Sequence, residues 1–207
     1  MLQNFTDTPP VNKYLSNISG NLAYDVGANG GFISNHLAEH FNEVLSIEPA
    51  EESFANLKKH AAPNIRPINI AASDHDGEQD FRVTRLTSAL GELFTGFAID
   101  HWGPTLATRT VPCMTLDSLA LKYGTPDFVK IDTEGHEVKI VDGAHTVFKE
   151  HPKFVIEIHE YENGEIIKEY FDGIGVLYDT IHHHAYTKSS PSYNSHYWLV
   201  SPNDDDR

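Results

Sequence analysis

Residues 21–34 read Asn21-Leu22-Ala23-Tyr24-Asp25-Val26-Gly27-Ala28-Asn29-Gly30-Gly31-Phe32-Ile33-Ser34. An apolar run ends in an acid, turns through glycines and enters a segment with helical spacing. That spells a buried strand, a tight turn and the start of a helix. The glycines lack Cβ atoms, so a ligand can touch the backbone there. The first helical turn adds unpaired N–H groups. Strand, glycine turn and helix in this order suit a nucleoside-bearing cofactor. The spacing Gly27-x-x-Gly30-Gly31 is not the Gly-x-Gly-x-x-Gly of dinucleotide binders. It leans towards S-adenosylmethionine, which carries no phosphates to cradle. A tight turn without a ligand is the competing reading of this stretch alone.

Outward from the turn, strand and helix keep alternating. Phe32, Ile33, Leu37 and Phe41 predict a helix over 32–41, and residues 44–49 form a strand closed by Pro49. A helix over 51–61, with Phe54 and Leu57 inward, leads to a third strand over 65–73. This order predicts an α/β fold built on a parallel, doubly wound sheet. The pattern then breaks. Residues 79–83 alternate like an added antiparallel strand. Residues 84–110, punctuated by Gly91, Gly96, Gly103 and Pro104, read as a lid over the cofactor mouth or as an insertion packed on an edge. A short strand over 108–114 and a helix capped by Thr115 and ended by Gly124 follow. Two further strands, 127–133 and 153–159, flank a helix over 137–150, which Gly143 weakens by ~1 kcal/mol relative to alanine. A helix over 162–171, with Ile166, Ile167 and Tyr170 inward, precedes two last strands, 176–183 and 196–200. These lack a helix between them and so read as an antiparallel hairpin. Residues 1–20 form a loosely packed lead-in with one helical turn near 11–16, residues 21–202 one domain, and 203–207 an acidic tail.

The totals narrow the function. A chain of 207 residues fits one domain with a real core. A net charge of -15 argues against nucleic acid and against an anionic membrane surface, since both recruit Lys and Arg. The single Cys113 excludes an internal disulfide and a cysteine-based zinc cluster, and reads as a small buried residue. There is no apolar run of ~20 residues and no signal-type start, so the expected location is the cytoplasm.

In a parallel sheet, ligands sit at the carboxyl ends of the strands, where strand order reverses. Acids fall at five such ends: Asp25, Glu48, Asp74, Asp132 with Glu134, and Glu157 with His159. Glu48 is placed to accept both ribose hydroxyls, and Asp74 an adenine amino group. Alternation puts Lys130, Asp132 and Glu134 on one face of their strand, and Val155, Glu157 and His159 on one face of theirs. A Lys130 in a near-apolar strand is costly to bury unless paired, and Glu157 on a neighbouring strand is the partner expected to complete it. If those strands adjoin, Lys130, Asp132, Glu157 and His159 line one cleft. An internal ion network fixing strand register is the alternative. For a hydroxyl acceptor, His159 is the candidate base, oriented by Glu157 or Asp132, with Lys130 instead if burial lowers its pKa. Asp132, Glu134, His136, Glu157 and His159 also make a set that a hard divalent metal tolerates, although none is expected. His182-His183-His184 would be split across two faces of a strand, which disfavours metal binding by that run.

Several blocks appear in order: Asp25-Val26-Gly27-Ala28-Asn29-Gly30-Gly31, Ser46-Ile47-Glu48-Pro49, Ala71-Ala72-Ser73-Asp74, Val111-Pro112-Cys113-Met114-Thr115-Leu116-Asp117, and Asp127-Phe128-Val129-Lys130-Ile131-Asp132-Thr133-Glu134-Gly135-His136-Glu137. Over about residues 21–160 the chain resembles the FkbM family of S-adenosylmethionine-dependent methyltransferases. The resemblance implies a single-domain, Rossmann-like class I methyltransferase fold with a mostly parallel seven-stranded sheet. It implies O-methylation of a sugar, glycan or small-molecule hydroxyl. It places Asp25, Gly27, Asn29, Gly30, Glu48 and Asp74 at the cofactor, and Lys130, Asp132, Glu134 and His159 near transfer. The alternatives are a catalytically silent binding subunit of the same fold, and a methyltransferase acting on nitrogen or nucleic acid. The chain departs from the family in its small size and in residues 84–110.

Overall fold

The computed structural model describes residues 9–84, 105–182 and 197–202. The lid expectation over 85–104, the loop 185–194, His183, His184 and the tail 203–207 lie outside the described residues. Ten strands and seven helices follow one another along the described chain. The first part runs α1 (Pro9–Leu15), β1 (Gly20–Val26), α2 (Phe32–Leu37), β2 (Phe41–Ile47), α3 (Glu51–His60), β3 (Ile65–Ile68), β4 (Ala71–Ala72) and β5 (Gly77–Thr84). The second runs β6 (Thr105–Met114), α4 (Leu116–Tyr123), β7 (Phe128–Ile131), α5 (Glu137–Asp142), α6 (His145–Lys149), β8 (Lys153–Ile158), α7 (Tyr161–Ile174), β9 (Asp179–His182) and β10 (Tyr197–Val200).

Seven strands form the main sheet in the order β3-β2-β1-β7-β8-β10-β9, and β4-β6-β5 form a second, smaller sheet. β3, β2, β1, β7 and β8 are parallel, while β10 runs antiparallel between β8 and β9. The chain first builds outward from β1 through β2 to β3, then returns to the other side of β1 with β7. The switch point is therefore the crevice between the carboxyl ends of β1 and β7, the position where such sheets hold ligands.

Alternation along each strand sorts two cores. Tyr24, Val26, Leu45, Ile47, Val129, Ile131, Phe154, Ile156 and Ile158 face one side, with Leu116 and Leu119 of α4, Phe148 of α6 and Phe171 of α7. Ala23, Val44, Phe128, Val155 and Trp198 face the other, with Val11 and Leu15 of α1, Leu37 of α2 and Leu57 of α3. The lead-in from Pro9 is thus packed rather than loose, because its apolar stripe closes the second core.

Several element boundaries differ from expectation for local reasons. The helix after the glycine turn stops at Leu37, and Phe41 already belongs to β2. Asn64 Nδ2 takes the carbonyls of Ala38 and Phe41, which releases the chain from helix into strand. The strand expected over 65–73 is two strands in two sheets. Asn69 Nδ2 donates to the carbonyls of Glu48 and Pro49, and Ala71-Ala72 leave to pair with Cys113-Met114. The helix expected over 137–150 breaks at Gly143, where a Cβ would overlap the Ser73 carbonyl oxygen. Ile166, expected inward, is exposed, as is Phe32, while Ile167 and Phe171 carry the buried face of α7. Thr115 caps α4 as expected, its hydroxyl accepting from Ser118 N at 3.0 Å. Among the described residues, no helix is long and apolar enough to cross a membrane.

Candidate functional site

The crevice is built around one charge pair. Asp25 of β1 stands opposite Lys130 of β7 in register, and Lys130 Nζ lies 3.1 Å from Asp25 Oδ1. The same ammonium is 3.6 Å from Asp132 Oδ2 and donates to the carbonyls of Gly27 at 2.9 Å and Val26 at 3.3 Å. Ser34 of α2 donates to Asp25 Oδ2 at 2.6 Å, and Ser46 of β2 donates to Ser34 at 2.8 Å. Asp25 and Lys130 are both buried. Asp25 is therefore a joint between β1, β2, β7 and α2, and not the open ligand its place at a strand end suggested. Burial alone would lower the Lys130 pKa, but Asp25 and Asp132 more than reverse this and push it up to about 12. The condition for Lys130 to act as a base, a pKa lowered by burial, is opposed by these two carboxylates.

Glu48 ends β2 beside the glycine turn. Its two oxygens accept from Asn29 N and from Ala50 N, each at 2.8 Å. A carboxylate oxygen accepts two bonds, so each retains a direction for a further donor. Burial pushes Glu48 up to about 7 against the pull of those two N–H groups. The turn is shaped by the protein's own packing. Gly27 and Gly31 have φ of 74° and 86°, and Asn29 has φ of 48°. A Cβ on Gly27 would overlap the Asp132 carbonyl, and one on Gly30 would sit 2.8 Å from Asn56 Nδ2. The glycines that read as ligand clearance are thus required first by β7 and α3. α2 is also shorter than expected, under two turns long.

Asp74 lies beyond β4. Lys139 of α5 and His75 pair with its two oxygens, and Ser73 donates to Oδ1 at 3.2 Å. Those hydrogen bonds, Lys139 first, hold its carboxyl well below the usual range. An adenine amino group would have to share an oxygen already engaged.

At the ends of β7 and β8, Asp132, Glu134 and His159 converge. His159 Nδ1 is 3.1 Å from Glu137 Oε1, while Nε2 is 3.3 Å from Glu134 Oε2 and 3.8 Å from Asp132 Oδ1. Glu137 also accepts from Gly135 N at 2.9 Å and is fully buried. Burial would lower the His159 pKa, but the bond to Glu137 and the charges of Glu137, Glu134 and Glu157 raise it well above its ordinary value. These acids favour the protonated ring, which disfavours His159 as the base. Burial, opposed by His159 and reinforced by Asp132 and Glu137, pushes Glu134 up to about 7. Burial and then Asp132 raise Glu157 well above the carboxylate range. His136 reaches Ser73 Oγ at 3.0 Å, and burial pushes it down to about 4.

The structure so brings Asp25, Gly27, Asn29, Glu48, Lys130, Asp132 and His159 to one switch point and turns Asp74 towards α5. Sequence reasoning missed Glu137, which orients His159, and Ser34 with Ser46, which hold Asp25. Glu137 shares a helical stripe with Ile140 and Val141, and that spacing alone marks it as facing inward.

The fold has counterparts in known proteins. The model of the FkbM methyltransferase domain matches residues 25–186. No curated protein matches the chain. Among solved structures, the methyltransferase FkbM of Methylobacillus flagellatus KT superposes with a TM-score of 0.64 at 17% identity, over 96% of this chain and 48% of that one. The chain therefore spans about half the length of that protein. A precorrin 8W decarboxylase of Methanobacterium thermoautotrophicum gives a TM-score of 0.54 at 11% identity, covering 94% of this chain and 88% of that one. Aeropyrum pernix fibrillarin, in complex with S-adenosyl-L-methionine, gives 0.54 at 13% identity, covering 89% and 67%. At these identities the likeness establishes the fold, a class I methyltransferase sheet. Since the domain match runs through both halves of that sheet and its switch point, the chain belongs to the FkbM methyltransferase family.

Proposed function

We propose that the chain transfers a methyl group from S-adenosylmethionine to a hydroxyl of a sugar, glycan or other small molecule. The observation that carries this reading is Glu48. It is a buried carboxylate at the end of β2, pinned by two backbone N–H groups beside the glycine turn, and each oxygen keeps room for one more donor. Two ribose hydroxyls, as donors, suit that pair of acceptors. The Asp132 carboxylate near the turn further suits a cationic sulfonium.

When bound, the cofactor supplies an electrophilic methyl carbon. The chain's own part is placement and field. Glu48 and the turn 27–31 would hold the nucleoside, and Asp74 could reach an adenine amino group only by sharing an oxygen engaged by Lys139 or His75. Lys130 and Asp25 keep β1 and β7 together so that the turn and Asp132 stay in contact. Asp132 is the carboxylate next to both the turn and His159, and it is placed to accept a hydrogen bond from the attacking hydroxyl. Orientation of this kind lowers barriers by ~7–11 kcal/mol. The net charge of -15 supports a small or neutral acceptor over a polyanion.

Calorimetric titration with S-adenosylhomocysteine tests the assignment. Wild type should bind, and Glu48→Gln should weaken binding at least ~10-fold, the effect of losing about 1.4 kcal/mol of charged hydrogen bonding. Because Glu48 is pushed up to about 7 and ribose donors prefer its ionised form, affinity should rise as pH rises through about 7. The Gln variant should show no such rise. Equal affinity in both proteins at pH 8 would remove Glu48 from the cofactor site.

A further inference from the structure

Two carboxylates and an imidazole meet at the ends of β7 and β8 with the spacing of a coordination shell. One ligand atom from each of Asp132, Glu134 and His159 lies within 4.8 Å of the others. His159 Nε2 is 3.3 Å from Glu134 and 3.8 Å from Asp132. Ligands at right angles around a cation ~2.1 Å away stand about 3.0 Å apart, and opposite ligands ~4.2 Å. The observed separations sit close to that range, so small side-chain rotations close the set on one ion.

Independent features point the same way. Glu137, fully buried, holds His159 Nδ1 and so aims Nε2 at the two carboxylates. Histidines that ligate metals are oriented in this manner by a carboxylate on the other ring nitrogen. Glu134 Oε2 is shielded from water, yet meets no donor in hydrogen-bond geometry despite its 3.3 Å approach to His159. A shielded carboxylate oxygen without an aligned donor calls for a cation.

We propose that Asp132, Glu134 and His159 bind one divalent cation, of the Mg²⁺ and Mn²⁺ class that carboxylate-rich sites take. The ion would take the lone pair of His159 Nε2, the ring nitrogen that Glu137 does not hold. An octahedral ion held by three protein atoms has positions left for acceptor oxygens, so favoured acceptors carry neighbouring hydroxyls; only this last assignment rests on the proposed function.

The test is titration of chelator-stripped protein with Mn²⁺, followed by electron paramagnetic resonance of the free ion and by thermal unfolding. A second grouping, His36, Glu39 and His40, is the competing site. Wild type should bind one Mn²⁺ and unfold at a higher temperature with it. Asp132→Asn with Glu134→Gln should weaken binding at least tenfold, and Glu39→Gln should leave it unchanged. Glu134 is part-exposed, so Glu134→Gln alone should fold and still cost several-fold. No Mn²⁺ bound by wild type at millimolar concentration, or binding that survives Glu134→Gln and is lost with Glu39→Gln, overturns the proposal. Titration with S-adenosylhomocysteine in chelator separates the two readings, since cofactor binding without Mn²⁺ binding sinks only the metal site, and the reverse sinks only the cofactor.

Discussion

Lys130 shows how one residue can hold a switch point together. It is 2% exposed and touches Asp25, Asp132 and two carbonyls, so its charge is fully used inside the fold. Removing one member of a buried pair strands the other and costs about 3–5 kcal/mol. Lys130→Met should therefore lower unfolding stability in urea by that amount, and adding Asp25→Asn should recover part of the loss. A single variant within 0.5 kcal/mol of wild type would show that the pair is not what joins β1 to β7. That Lys130 needs a partner was legible, since a lone cation in an apolar strand is conspicuous. Its partner was not, because Glu157 is closer in the linear pattern and the adjacency of β1 and β7 is a long-range pairing. The place of Glu48, at the end of β2 beside the glycine turn, was legible. The role of Glu137 was hidden by its position at a helix start, where an acid ordinarily favours the dipole.

Among the elements, the α5–α6 break carries the clearest physical reason. Gly143 reads as a weak point in a helix. It is in fact the place where α5 ends so that the Ser73 backbone can approach. Gly143→Ala should consequently destabilise the chain by about 1–3 kcal/mol, the cost of overpacking, instead of gaining helix propensity. Chemical denaturation distinguishes the two by sign. Local chemistry that acts within a few residues, such as the Thr115 cap and the Gly124 stop, could be read directly. The split of β3 from β4 could not, since it depends on Asn69 reaching back to Glu48 and Pro49 and on β6, whose Cys113 and Met114 lie 42 residues beyond their partners Ala71 and Ala72.

At the scale of the whole molecule, the alternation of strands and helices was enough for the α/β class, and the final hairpin for the antiparallel strand. The second sheet was not legible, because it draws β4 out of what reads as one continuous strand. A net charge of -15 on 207 residues sets a bulk property. Self-repulsion on this scale is screened by salt. The thermal midpoint should therefore rise by ~2–4 °C between low and moderate NaCl, the shift that ~1 kcal/mol produces in a domain of this size. A flat or falling midpoint would mean that local ion pairs such as Arg66–Glu43 outweigh the global field.

β10 lies between β8 and β9, and Ser201, just after it, bonds Tyr14 of α1 and the backbone of Phe154. During synthesis on the ribosome, the outer backbone groups of β8 must wait for residues 197–200 to emerge before they are paired. A nascent chain stalled short of that point presents a bare strand edge, the kind of surface chaperones shield and neighbouring chains invade.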